Sequence, residues 1–262
     1  MAARRLLLTL AAATIMVGCV NLRRAAPLPT GSTLRIGQLV VNSDFPLPPE
    51  HRLLTELIQL RVRISDELAL PTGGEPVEVY LFQTPRSYQT FLQAHHPNVP
   101  DRRALFVESD THLRVYAAWG DRVAEDLRHE VSHGYLHSLV PDLPLWIDEG
   151  LAESFEVRAD ERGLNRPHAA HLLAASQQGA WRPDITRLAM TRSIQEMQQT
   201  QYAESWAWIH WLLNSTPRNR ALLQGYVASL RQRQNPVPLH EVLLRQNPDA
   251  ASELMSHLQR LR

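Results

Sequence analysis

Short β-rich runs occur only in the first 120 or so residues of this chain, and everything after them is helical in period. That one-sided distribution excludes an all-β barrel and an evenly alternating parallel α/β fold, and it points to an α+β arrangement. Leu34–Asn42 alternates loosely and reads as a strand. Glu50–Leu70 places Leu53, Leu54, Leu57, Leu60, Ile64 and Leu68 at helical spacing, and Pro71-Thr-Gly-Gly then turns the chain. Val77–Phe82 is a strand, and Pro85 opens a short helix to about Ala94. Arg103–Val107 and Leu113–Ala117 are two strands joined across Ser109-Asp110-Thr111. Asp121 is placed to cap a helix that Pro141 stops after Val140, and a second helix follows over Leu145–Val157. From His168 onward the pattern is helical, with loops expected at Pro183, Pro217 and Pro236. The expected fold is a small mixed sheet carrying one functional helix over residues 33–160, followed by a helical subdomain over 161–262.

Composition narrows the partners. The 262 residues carry 27 basic and 27 acidic side chains, so no basic surplus recommends nucleic acid. Every basic residue is Arg, which fits a coding bias better than any functional need. A single Cys excludes an internal disulfide and any multi-cysteine metal site. That Cys lies at the end of a leader. Arg4 and Arg5 precede an apolar run, Leu6–Val17, too short to span a bilayer, and Gly18 then precedes Cys19. The segment resembles a bacterial lipoprotein signal. The resemblance implies removal of residues 1–18, lipidation of Cys19 and a tether to about Ser32. With Val20 rather than an acid after the Cys, it implies an outer-membrane anchor facing the periplasm.

Chemistry concentrates in the helix after Asp121, at His129-Glu130-Val131-Ser132-His133. Two histidines four apart stand on one helix face, so both imidazoles can reach one ion, with Glu130 beside a water on it. A catalytic zinc needs a third protein ligand and an open fourth position. The next helix begins Leu145-Trp146-Ile147-Asp148-Glu149-Gly150-Leu151-Ala152-Glu153. Together the two segments resemble the peptidase MA-like, gluzincin-type metallopeptidases, and lipoproteins related to the DUF1570-like family. The family pattern is His-Glu-x-x-His, a short connection, then Trp-Leu-Asn-Glu-Gly. Here Asp148 stands in place of the Asn, and the connection is a little short.

The resemblance implies a zincin-like fold with one Zn²⁺ per chain, held by His129, His133 and Glu149. Glu130 would be the general base acting on zinc-bound water. Glu153, one turn beyond Glu149, is the candidate for orienting His129 from outside the coordination shell. His137 continues the i, i+4 series but overshoots an ion held by the first two histidines, and reads as an outer-face residue. The strand Leu113–Ala117 corresponds to the edge strand that pairs with an extended peptide in gluzincins, unless it is interior. It lacks the Gly-x-Met-Glu-Asn segment of the clan's aminopeptidases, so internal cleavage is expected over removal of an amino-terminal residue. Gln201-Tyr202-Ala203-Glu204-Ser205-Trp206 resembles the aminopeptidase segment whose Tyr donates to the oxyanion. Tyr202 is therefore either that donor or one more core aromatic beside Trp206, Trp208 and Trp211. The expected activity is a zinc-dependent peptidase acting on peptide or protein substrates in the bacterial envelope. A zinc-stabilised lipoprotein that binds protein partners without hydrolysing them is the alternative.

Overall fold

In the computed structural model, residues 27–261 are described. The leader, Cys19 and most of the expected tether lie outside them. The chain is α+β, as its patterning implies. Two short strands, β1 (Ser32–Ile36) and β2 (Leu39–Ser43), precede helix α1 (Arg52–Leu68). Strand β3 (Val77–Phe82), helix α2 (Pro85–His95) and strands β4 (Ala104–Ser109) and β5 (His112–Ala118) complete the sheet. Helices α3 (Val123–His137) and α4 (Leu145–Glu156) follow. The remaining helices are α5 (Arg166–Gln177), α6 (Ile185–Ala189), α7 (Gln199–Asn214), α8 (Pro217–Arg231), α9 (Leu239–Gln246) and α10 (Ala250–Arg260). No helix among the described residues is long and apolar enough to cross a membrane.

The sheet runs β1-β2-β3-β5-β4, with β2, β3 and β5 parallel and β1 and β4 antiparallel at the two edges. Two expectations change. The run Leu34–Asn42 is a hairpin rather than one strand, because Gly37 takes a left-handed conformation (φ 59°) that reverses the chain. Strand β5 is interior, and β4 is the edge beside the functional helix. Strand order is decided by tertiary pairing, which local patterning does not report.

Helices α1 and α3 cover one sheet face with α4 and α7 stacked beyond, and one apolar core runs through them from Leu39 and Val79 to Trp206 and Leu258. On the opposite face α2 buries a separate aromatic group in which Tyr80, Phe82, Tyr88, Phe91 and Tyr116 pack together. Ile147, Leu151 and Phe155 of α4 are fully buried, as are Trp206, Trp208 and Trp211 of α7. At about 1.5–3 kcal/mol per large apolar side chain, this stripe supplies a substantial part of the folding free energy. Two ends differ from the sequence reading. Arg122, not Asp121, is the N-cap of α3, with no side-chain cap bond, and the helix ends at His137, three residues before Val140. Pro217 opens α8 behind a Thr216 cap instead of forming a loop, since its missing N–H costs nothing in a first helical turn.

Candidate metal centre and its cleft

Helices α3 and α4 run in opposite directions where they touch. His133 therefore meets the start of α4, and His129, one turn earlier, meets its end. Each site segment carries a glycine directly after a candidate ligand. A Cβ at Gly134 would lie 2.7 Å from Val77 Cγ1 of β3. At Gly150 it would strike the Ser205 carbonyl and come within 2.6 Å of Ile209 Cγ1 of α7. Both helices are thereby pressed onto their neighbours at the height of the site, which an alanine would prevent despite its better helix propensity.

Three donor atoms converge between the helices. His129 Nε2 and His133 Nε2 are 3.3 Å apart, and Glu149 Oε2 lies 3.7 Å from the first and 3.9 Å from the second. For a tetrahedral zinc with bonds near 2.0–2.1 Å, the ligand–ligand edge is about 3.3 Å. Small side-chain adjustments close the difference. Glu149 Oε2 is buried and has no hydrogen-bond partner. An orphaned buried carboxylate oxygen facing two imidazole nitrogens is a costly arrangement unless a cation completes it. The donor set, two nitrogens and one carboxylate oxygen, suits zinc.

The outer nitrogens fix the rings. His133 Nδ1 is 2.9 Å from Asp148 Oδ1, and His129 Nδ1 is 3.1 Å from Glu156 Oε2. An ionised carboxylate only accepts, so each Nδ1–H donates outward, and Nε2 is left as the inward atom that can ligate once its own proton is lost. Burial opposes charge on both rings, but Glu149 and Glu156 around His129, and Asp148 and Glu149 around His133, outweigh it and raise both pKa values. A metal must therefore displace protons there.

This corrects the expected partner of His129. Glu153 does not orient it; its Oε2 lies 2.7 Å from His168 Nε2 and 3.3 Å from Asn165 Nδ2. Because α3 and α4 are antiparallel, His129 sits farther down α4, at Glu156, two turns beyond Glu149 on the same face. His137 is not an outer-face bystander either. Its Nε2 donates to Asp148 Oδ2 at 3.0 Å, and its Nδ1 lies 2.6 Å from Glu108 Oε2. Burial lowers its pKa, yet Asp148 and Glu108 together raise it to about 9. The departure at Asp148 now has a physical reason. A carboxylate accepts from His133 and His137 at once, which the single oxygen of an Asn cannot match with two separate acceptors. Burial works against the Asp148 charge, but the two histidines hold its pKa well below the usual range.

A cleft of about 710 Å³ opens over these atoms, lined among others by Glu130, Phe106, Tyr202 and Arg102. Glu130 Oε2 accepts from the Phe106 backbone N–H at 2.7 Å. That bond reports the orientation of β4. Ala118 N–H donates to the Arg103 carbonyl on the inner side, so alternate residues, Ala104, Phe106 and Glu108, turn their backbone groups to the free edge. The Phe106 ring stacks on His133, with centroids 5.8 Å apart and planes inclined by 20°. Tyr202, in the first turn of α7, lies in the cleft wall and not in the apolar core. Burial and the Glu149 charge push its pKa up to about 12, so the phenol keeps its proton.

A family described as "Protein of unknown function (DUF1570)" matches residues 124–238, a stretch that holds both site helices and Tyr202. No curated protein matches the chain. Among solved structures, the M1 zinc metallopeptidase from Deinococcus radiodurans is similar at a TM-score of 0.40 and 19% identity, over 90% of this chain and 51% of that one. A mutant of that peptidase bound to a Tyr-Ser-Ala substrate gives 0.39 and 20%, over 86% and 50%. The chain thus spans about half the length of the solved structures it matches.

Proposed function

We propose that this chain is a zinc-dependent peptidase, with one Zn²⁺ held by His129, His133 and Glu149. The observation that carries the reading is the buried, unpartnered Glu149 Oε2 facing the two Nε2 atoms at the floor of a cleft. A zinc held by these three residues would supply Lewis-acid polarisation of a scissile carbonyl and an acidified water. Glu130, adjacent to His129 and turned to the cleft, takes the proton of the attacking water and passes it to the leaving amine. The Tyr202 phenol donates to the carbonyl oxygen as negative charge develops on it. The free edge of β4 offers backbone groups to an extended peptide, giving affinity with little side-chain selectivity. For that pairing the peptide competes with Glu130 for the Phe106 N–H, which couples substrate binding to release of the base.

Cleavage inside a peptide, rather than at its amino terminus, goes with the absence of a Gly-x-Met-Glu-Asn segment from the chain. Glu108, the one acid of β4, is engaged by His137 and is not part of the cleft wall. Anchoring through Cys19 and an outer-membrane, periplasm-facing location belong to the same reading and rest on the leader sequence alone. The test is Glu130→Gln. The variant should keep its zinc and lose hydrolysis of a mixed peptide pool by at least about 10²-fold, on the scale of a general base. Cleavage by this variant at the wild-type rate rejects the mechanism. Zinc with no cleavage by the wild-type protein returns the chain to a partner-binding lipoprotein.

A further inference from the structure

Five acids around the cleft have a cationic or histidine partner, whereas Asp101 and Glu130 of its lining stand in no ion pair among the described residues and Glu149 Oε2 has no hydrogen-bond partner. Asp126 pairs with Arg103, Glu125 with Arg122, Asp148 with His133 and His137, Glu156 with His129, and Glu153 with His168. Arg102 lines the same cleft and belongs to none of the arginine ion pairs among the described residues. Its Nε is buried and has no hydrogen-bond partner. The residue is nevertheless held in place, because its carbonyl accepts from Gln89 Nε2 at 3.4 Å just before β4 begins. It shares the cleft wall with Tyr202 and Glu149.

A guanidinium is always charged, and a buried N–H without an acceptor is costly. A carboxylate removes that cost, since its two oxygens match the planar fork and can take Nε and a terminal nitrogen together. In a cleft whose other fixed charges are mostly acidic, such a cation also reverses the sign of the local field. We propose that Arg102 is the anion reader of this cleft and binds a substrate carboxylate, either the α-carboxylate of a peptide C-terminus or the side chain of Asp or Glu. The proposal rests on the peptidase reading for the ligand being a peptide. Arg102 is a specificity residue, with no part in the proton transfers assigned to Glu130.

The experiment measures peptide binding separately from turnover. Zinc-loaded full-chain Glu130→Gln protein is titrated with dansyl-Ala-Ala-Ala-Ala and its C-terminal amide, and with dansyl-Ala-Ala-Glu-Ala-Ala-amide and its Gln counterpart. One member of at least one pair, the acidic one, should bind about 10- to 100-fold more tightly, as a charge-assisted bidentate contact provides. The pair that discriminates identifies the source of the carboxylate. Arg102→Met should erase the difference without loss of zinc, and Arg102→Lys should keep part of it. Should Arg102→Met fail to fold, the acid-against-neutral comparison in the Arg102 protein still decides. Equal binding within both pairs, no binding of any of the four peptides, or discrimination that persists in Arg102→Met overturns the assignment. Wild-type protein that cleaves peptides but ignores carboxylates leaves the peptidase standing without this reader. Carboxylate-selective binding with no cleavage leaves the reader standing and rejects the peptidase.

Discussion

His133 and Asp148 are joined across the α3–α4 contact by a 2.9 Å hydrogen bond from the ring nitrogen that faces away from the site. The other oxygen of Asp148 takes His137, whose far nitrogen reaches Glu108 at the sheet edge. One inner ligand is thus oriented through a chain of four side chains ending at a half-exposed carboxylate. Asp148→Ala removes the acceptor of the His133 Nδ1–H and should weaken zinc affinity about 10- to 100-fold. Asp148→Asn can serve one histidine through its oxygen while opposing the other with its amide, so a smaller loss is expected. Competition with a chelator measures both. Unchanged affinity in the Ala variant would show that packing alone orients His133.

Tyr202 separates a catalytic hydroxyl from a packing ring. The phenol stays protonated, and its residue faces the cleft instead of the tryptophans of α7. Tyr202→Phe should lower kcat about 10²-fold on the oxyanion-donor scale while leaving KM and zinc content nearly unchanged. Wild-type turnover in this variant would leave Tyr202 a wall residue.

Far from the cleft, His210 Nδ1 and His257 Nε2 meet at 2.9 Å between α7 and α10, both rings buried. Burial, and then the neighbouring His257, push His210 down to about 4. Burial also lowers His257, with Arg260 adding to it. The folded chain therefore keeps His210 neutral where the unfolded chain takes a proton, below its ordinary value of 6.5. Stability is fully present above that value and falls as pH drops towards 4, by about 1.4 kcal/mol per pH unit and about 3 kcal/mol in all. His210→Gln should show a flatter dependence of its urea midpoint between pH 7 and pH 4.5. Parallel curves for the two proteins would contradict a neutral buried pair.

Much of this was legible in residue order. The periods of α1 and α4, the β-rich run of β3 and the Pro85 start of α2 appear at nearly their observed bounds. His129, Glu130 and His133 follow from helix spacing, and Glu149 from the Trp-Ile-Asp-Glu-Gly segment. What local pattern could not report is how elements meet. The edge position of β4 depends on strand order, and the choice of Glu156 over Glu153 on α3 and α4 running antiparallel. His137 looked superfluous because an i, i+4 series overshoots a single ion. Its partner is an acid on the next helix, and the only sequence signal for it was Asp148 in place of Asn. Arg102 gave no signal at all, since one arginine among 27 is distinguished only by its place in the cleft wall and its buried, unpartnered Nε.

The central claim is that His129, His133 and Glu149 form a zinc site, and metal content tests it most directly. Protein reconstituted with zinc and freed of loose metal is analysed by mass spectrometry alongside His133→Ala and Glu149→Gln. The wild-type chain should retain about one zinc, the His variant almost none, and the Glu variant a weakly held fraction that a chelator strips first. A wild-type chain that retains no zinc, or two variants that hold it as firmly as the wild type, would contradict the account.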